Sequence, residues 1–232
     1  MISIIIPIYN QAEHLPNLLN SVKRQTYDNY EIIVVNDGST DNLIEVIEKY
    51  KRIFGFKLTY FEEESRGAAA ARNYGARLAK GEFLIFCDAD TVMEPAMLES
   101  MRNVLKNSPT ASFCYSSFIW GKKKFMLWPY DAEKLKIMPY INIASLIKRE
   151  HFPGFDETLK RFQDWDLWLA MAERGHGGVW LNQILYRVNL SGSQTMSRWL
   201  PSLAYKLLPF LPTVKKYNQA KAIIFKKHNV NQ

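Results

Sequence analysis

Asp88 and Asp90 stand one residue apart, directly after the uncharged run Phe83-Leu-Ile-Phe86. Carboxylates are hard oxygen ligands, and a magnesium-type cation typically takes one or two of them and completes its shell with water and substrate phosphate. The spacing suits a cation held against a diphosphate; the competing reading is an Asp-rich turn that binds nothing. Asp37, in Asn36-Asp-Gly-Ser-Thr-Asp41, follows a second apolar run and offers a carboxylate to a base or ribose, unless it serves only the turn. Tyr9 closes the run Ile2 to Ile8 and presents either a stacking face or a core ring. Arg66 and Arg72 flank the start of an alanine-rich stretch, where a guanidinium meets phosphate, meets one of the clustered carboxylates, or faces water. His14, His151, His176 and His228 share no paired spacing and read as surface or local hydrogen-bonding residues. No Gly-x-Gly-x-x-Gly follows the first strand and no Gly-x-x-x-x-Gly-Lys-Ser/Thr occurs, so the dinucleotide and P-loop modes lose their main support.

The elements that must carry these side chains are legible from periodicity. Residues 2–8 form a β-branched run too continuous to be half exposed, as in a central strand of a parallel sheet, and Pro7 marks its end. Leu15, Leu18, Leu19 and Val22 follow at helical spacing, and Glu31 to Val35 is a second buried strand. The 36–41 turn cluster ends in residues suited to cap a helix carrying Leu43, Ile44, Val46 and Ile47. Strands at Lys57–Phe61 and Glu82–Cys87 then alternate with helices at Gly67–Lys80 and Pro95–Lys106. Four strand–helix alternations predict a doubly wound α/β layer. Such layers bind ligands at the carboxyl ends of their strands beside a topological switch point, which brings Tyr9-Asn10, Asn36-Asp37-Gly38 and Asp88-Ala89-Asp90 to one crevice. From Ala111 onward short β-rich pieces, a Lys122-Lys-Lys124 loop, a helix at Asp164–Arg174 and a strand at Val179–Val188 read as the second half of the same domain. Trp165 and Trp168, three apart on that helix, read as core packing, with bordering a binding site as the alternative.

At 232 residues, 47 % hydrophobic and 23 % charged, the chain suits one globular domain or a domain with an appendage, and is neither disordered, coiled-coil nor collagen-like. Cys87 and Cys114 show no Cys-x-x-Cys spacing, which argues against a disulfide scaffold or zinc cluster and for a reducing compartment. The formal charge of +7 lies wholly in residues 198–232, which hold Arg198, Lys206, Lys215, Lys216, Lys221, Lys226 and Lys227 and no acid. A neutral body with a basic tail does not suit a nucleic-acid partner. Leucines and aromatics beside those lysines suit peripheral membrane contact through 198–227, or else a terminal helix packed on its own domain. The apolar start lacks a basic n-region, and no uncharged apolar run reaches about 18 residues. The expected division is a domain at 1–195 with an appendage at 196–232, in the cytoplasm or at the inner face of the membrane.

Six segments occur in order: Ile-Ile-Ile-Pro-Ile-Tyr-Asn at 4–10, Val-Asn-Asp-Gly-Ser-Thr-Asp at 35–41, Ala-Arg-Asn at 71–73, Phe-Cys-Asp-Ala-Asp at 86–90, Gly-Phe-Asp-Glu at 154–157 and Gln-Asp-Trp-Asp-Leu-Trp at 163–168. Over roughly residues 2–190 this series resembles the family 2 glycosyltransferases of the GT-A fold. The resemblance implies a nucleotide-diphospho-sugar transferase fold, Rossmann-like, with a mostly parallel sheet covered by helices on both faces. It implies inverting transfer of one sugar from a UDP- or dTDP-linked donor to an acceptor hydroxyl of a cell-envelope or lipid-linked glycan, with Mn2+ or Mg2+. Pro7, Tyr9 and Asp37 would line the nucleoside pocket, Arg72 would support the nucleotide, Asp88 would lie near the ribose or a bound water, and Asp90 would ligate the metal. Asp164 would be the general base, since inversion needs a carboxylate across the sugar from the leaving diphosphate. Asp166 is expected to be structural, capping the helix or pairing with an arginine.

Two positions depart from the family pattern: Gln163 stands where members commonly have Glu, and Asn189 where many carry a metal-binding His. Gln194-Thr-Met-Ser-Arg198-Trp199 has one residue too many for the Gln-x-x-Arg-Trp of polymerising synthases and reads as chance, which favours single-sugar transfer. A nucleotidyltransferase would need a Gly-rich, Arg- or Lys-bearing loop where Pro7-Ile-Tyr-Asn10 stands. A sugar-nucleotide-binding scaffold without turnover is the other alternative, motivated by Gln163 and Asn189.

Overall fold

The computed structural model describes residues 1–189 and 211–230. The 195/196 boundary, the 194–199 motif and the 198–210 part of the basic tail lie outside the described residues. Strand β1 (Ile2–Ile8) is buried along its whole length, and it pairs in parallel with β2 (Tyr30–Asn36) on one side and β4 (Phe83–Phe86) on the other. Strand β3 (Leu58–Glu62) adds in parallel beyond β2. Strands β1, β2 and β4 read as near-continuous apolar runs because both faces are covered, whereas β3, at the sheet edge, is buried only at Leu58. The helices α1 (Leu15–Lys23) and α2 (Leu43–Phe54) fall where apolar spacing predicts them, and α3 (Ala68–Leu78) falls on the alanine-rich stretch; α2 buries Leu43, Ile47 and Tyr50, while Ile44, expected on the same face, is exposed. Helix α3 lies hard against the sheet at Gly75, where a Cβ would come within 2.6 Å of the Ile5 side chain and 3.3 Å of Val35.

The sheet order is β3-β2-β1-β4-β8-β6-β9-β5, with β7 (Lys123–Phe125) beside β6. The chain steps outward from β1 to β2 to β3 and then returns to the other flank of β1 as β4, so the switch point lies between β1 and β4. Beyond β4 the sheet becomes mixed. Strand β8 (Leu146–Lys148) runs antiparallel to both β4 and β6 (Phe113–Trp120), β9 (Gly178–Val188) runs parallel to β6, and β5 (Thr91–Met93) runs antiparallel to β9. Parallel ladders still hold most of the paired residues. The antiparallel neighbours are not readable from sequence because β5 and β8 are three residues long, too short to show a period.

Helices α4 (Met97–Lys106), α5 (Ala132–Ile137) and α6 (Gln163–Glu173) complete the second half. Trp165 and Trp168 on α6 are fully buried, and their indole N–H groups donate to Leu135 O (2.6 Å) and Ile141 O (2.9 Å). Cys87 and Cys114 are buried free thiols, and burial pushes both pKa values up. The last helix, α7 (Pro212–Lys227), lays Val214 and Ile224 into the interior and sets Tyr217 on Phe162 and Phe225 on Trp165. Among the described residues no helix is long and apolar enough to cross a membrane.

Candidate functional site

The carboxyl ends of β1 and β2 are stitched together. Asn10, at φ 49°, accepts the Thr40 N–H on its side chain (2.7 Å) and donates its own N–H to Ser39 Oγ (3.0 Å). Asp41 Oδ2 accepts from Ala12 N (2.8 Å). The 36–41 cluster therefore ties two loops together instead of capping α2, whose N-cap, Asn42, makes no side-chain cap bond. Gly38 turns the chain at φ 77°, where a Cβ would also crowd the Ser65 Cβ at 3.2 Å.

Around this frame Pro7 is buried in β1 opposite Val35, while Tyr9 is 46 % exposed, so its ring is open to a ligand and is not a core ring. Asp37 is buried, and its carboxylate accepts the N–H groups of Arg66 (2.7 Å) and Gly67 (3.0 Å). It thereby fixes the turn that launches α3, with acceptor capacity left over.

Arg72, in the first turns of α3, is the centre of the acidic side. Its Nη2 donates to Asp88 Oδ1 at 2.6 Å and its Nη1 to Gln163 Oε1 at 2.9 Å, while the guanidinium lies 5.5 Å from the Phe155 ring. One buried side chain thus joins α3, the end of β4 and the start of α6. It meets one of the clustered carboxylates and does not face water. Asn73, which sequence reasoning gave no role of its own, clamps the 154–157 loop: it donates to Phe155 O and Glu157 Oε1 (both 2.9 Å) and accepts from Phe155 N (2.8 Å). Its place beside Arg72 in the Ala-Arg-Asn segment was the one available signal.

Asp90 is only 5 % exposed. Burial first, and the Asp88 charge second, push its carboxyl up to about 7. Its backbone carbonyl accepts the Asn189 N–H (2.9 Å), so Asn189 sits beside the acidic loop. Among the described residues no group of three His, Cys, Asp or Glu side chains could cage a metal. Two carboxylates, one buried and destabilised by the other, fit a hard cation that keeps water or phosphate oxygens in its shell.

Asp164 lies in the first turn of α6, partly buried, and its Oδ1 accepts from Trp165 N (2.9 Å). Loss of water raises its pKa, against the pull of the Trp165 N–H and the Arg72 charge. Among the described residues Asp166 neither caps the helix through its side chain nor pairs with an arginine. It is buried, and its Oδ1 accepts from Lys227 Nζ (2.7 Å) and His228 Nε2 (2.8 Å). His228, expected to be a surface or local residue, is buried and reaches 62 positions back along the chain. Neither contact has a signal in local spacing.

This arrangement, with three polar strand ends at the switch of a mostly parallel sheet and a mixed half beyond it, defines a GT-A type transferase fold. The family model described as "Glycosyl transferase family 2" matches residues 3–168, and the chain belongs to that family of enzymes. An uncharacterized glycosyltransferase of Rickettsia typhi is 30 % identical over 97 % of this chain and 75 % of its own length. A Haemophilus influenzae relative, also an uncharacterized glycosyltransferase, is 36 % identical over 75 % of this chain and 62 % of its own. Other relatives are much longer; the chain spans 31 % of one from Rickettsia felis. Among solved structures, S. aureus TarS 1-349 in complex with UDP-GlcNAc superposes with a TM-score of 0.74 at 19 % identity, covering 98 % of this chain and 72 % of that one. The mannosyltransferase PcManGT from Pyrobaculum calidifontis, in complex with GDP-Man and Mn2+, gives 0.69 at 18 % identity over 100 % of this chain and 75 % of its own.

Proposed function

We propose that this chain is an inverting, metal-dependent glycosyltransferase. It moves one sugar from a UDP- or dTDP-linked donor to an acceptor hydroxyl of a cell-envelope or lipid-linked glycan, in the cytoplasm or at the inner face of the membrane. The observation that carries the reading is Arg72, whose guanidinium bridges Asp88 and Gln163 and so couples the diphosphate side of the crevice to the helix bearing Asp164. Domain 1–195 holds all of these residues, with 196–232 as its appendage.

In this reading the exposed Tyr9 ring and the Pro7 and Asp37 strand ends receive the nucleoside, and Asp88 turns to the ribose. Arg72 supplies positive charge beside the diphosphate. Asp90 and the adjacent loop would hold the divalent cation, which when bound supplies Lewis-acid neutralisation of the leaving phosphate. Asp164 takes the acceptor hydroxyl proton as that oxygen bonds to the anomeric carbon and the sugar–diphosphate bond breaks, its electron pair leaving with the nucleotide. The raised pKa of Asp164 strengthens it as a base. Helix α7 packs one face on the domain, as the alternative reading of the tail had it, and the exposed Lys215, Lys216 and Lys226 leave peripheral membrane contact to its outer face, checked by binding to anionic liposomes at low salt and release at high salt.

Calorimetry with UDP, GDP and dTDP, with and without Mn2+, tests the donor site. One nucleotide should tighten about tenfold with metal, roughly 1.4 kcal/mol, and Asp90→Ala should abolish the gain. If none bound under any metal, the non-catalytic scaffold would become the better reading. In Asp164→Asn nucleotide binding should persist while transfer falls at least about a hundredfold, the lower range for a lost general base.

A further inference from the structure

The start of α6 is held from outside the crevice. Phe162, its N-cap, sits at φ 59°, a left-handed conformation that a bulky residue rarely adopts and whose cost of about 1–2 kcal/mol its surroundings must offset. Tyr217 packs edge-on against the Phe162 ring at 5.1 Å, and Phe225 packs against Trp165 at 5.8 Å, so α7 covers residues on both sides of Gln163-Asp164. At the far end of α7 the contacts are ionic. Lys227 Nζ lies 2.7 Å from Asp166 Oδ1 and 2.6 Å from Asp156 Oδ2. His228 donates from both ring nitrogens when charged, to Asp166 Oδ1 and to Glu173 Oε1, each at 2.8 Å. Asp166 is two residues from Asp164 on the same helix, and Asp156 belongs to the loop that Asn73 clamps.

We propose that Lys227 and His228 are positioning residues for Asp164, and that α7 is the strap through which they aim the base. The inference rests on Asp164 being the base. The charged groups facing the His228 imidazole are Asp166 and Glu173 on α6 and Lys227 on its own helix. Burial alone would lower the imidazole pKa, but the two carboxylate hydrogen bonds outweigh it and hold the pKa above its ordinary value. The doubly donating form is therefore present at low pH. As pH rises through its titration, one ring nitrogen becomes a lone pair facing a carboxylate.

The test compares the parent with His228→Gln, Lys227→Met, Lys227→Arg and Asp164→Asn. UDP-GlcNAc, GDP-mannose and dTDP-glucose with Mn2+ serve as donors and water as acceptor, beside carboxyl 13C NMR of labelled aspartate with the Asp164 signal assigned from Asp164→Asn. His228→Gln should lower kcat about fivefold with donor KM unchanged, and should remove an alkaline fall in kcat that the parent shows. Lys227→Met should lower kcat likewise while Lys227→Arg restores it. In both lowered variants the Asp164 titration should move down toward the ordinary carboxylate range, a readout that serves even where turnover with water is undetectable and that Lys227→Met supplies should His228→Gln not fold. An unchanged Asp164 titration and an unchanged pH profile in these variants, whatever their melting temperatures, overturn the inference. If Asp164→Asn turns over like the parent, the base assignment fails and the inference with it. If Asp164→Asn is inactive while His228→Gln matches the parent, only the inference fails.

Discussion

Arg72 satisfies two partners on two different elements, and that sets the consequence of replacing it. In Arg72→Met, Asp88 and Gln163 both lose a donor, and the crevice loses its cation. Because the Asp88 side chain is 45 % exposed, water replaces much of that ion pair, so the stability loss should stay near 1–2 kcal/mol by urea unfolding, below the 3–5 expected for a fully buried pair. Nucleotide affinity should fall further, at least about tenfold by calorimetry. Arg72→Lys should recover charge but not the two-pronged geometry, and so only part of the binding. The types and spacing of Asp88 and Asp90 were readable directly in sequence, and Asp164 entered through the family resemblance. The partners of Arg72 were not, because Gln163 lies 91 positions away and no periodicity links residues at that distance.

Helix α3 shows how an element can be predicted correctly while its reason for being where it is stays hidden. Gly75 looks like a weak point in an alanine-rich helix, and alanine there would raise helix propensity by about 1 kcal/mol. The added Cβ would sit 2.6 Å from the Ile5 side chain in β1, and overpacking of that kind costs about 1–3 kcal/mol. Gly75→Ala should therefore lower the urea midpoint despite the better propensity. Asn73→Ala should cost about 1–2 kcal/mol in thermal or urea unfolding, since it strands the Phe155 backbone groups and frees the 154–157 loop. Strands β1, β2 and β4 were legible because they are buried on both faces; β5 and β8 owe their existence to partners across the sheet.

Across the whole molecule, the docking of α7 should depend on pH from both sides. Hydrogen bonds from Lys227 and then Thr158 pull the Asp156 carboxyl down to about 2, so its contribution is present above the unfolded carboxyl pKa near 3.8 and is lost as pH falls toward 2. His228 is shifted the other way: its contribution is complete below the unfolded imidazole value near 6.5 and is lost as pH rises through the raised folded one. Lys227, also raised, leaves only at strongly alkaline pH. Hydrogen-exchange protection of α7 should thus be greatest between about pH 4 and 6.5 and decline on either side.

The chain's own residues, read in order, determined the parallel half-sheet, the polar strand ends at its switch point and the six ordered segments of the family, because burial on both faces and short-range spacing are written locally. Only the tertiary structure decided that Arg72 joins Asp88 to Gln163, that Asn73 clamps Phe155, and that the basic tail spends Lys227 and His228 on Asp166. Those contacts exist because sheet order and helix packing bring distant residues within hydrogen-bond reach, and buried polar groups must find partners wherever the fold supplies them.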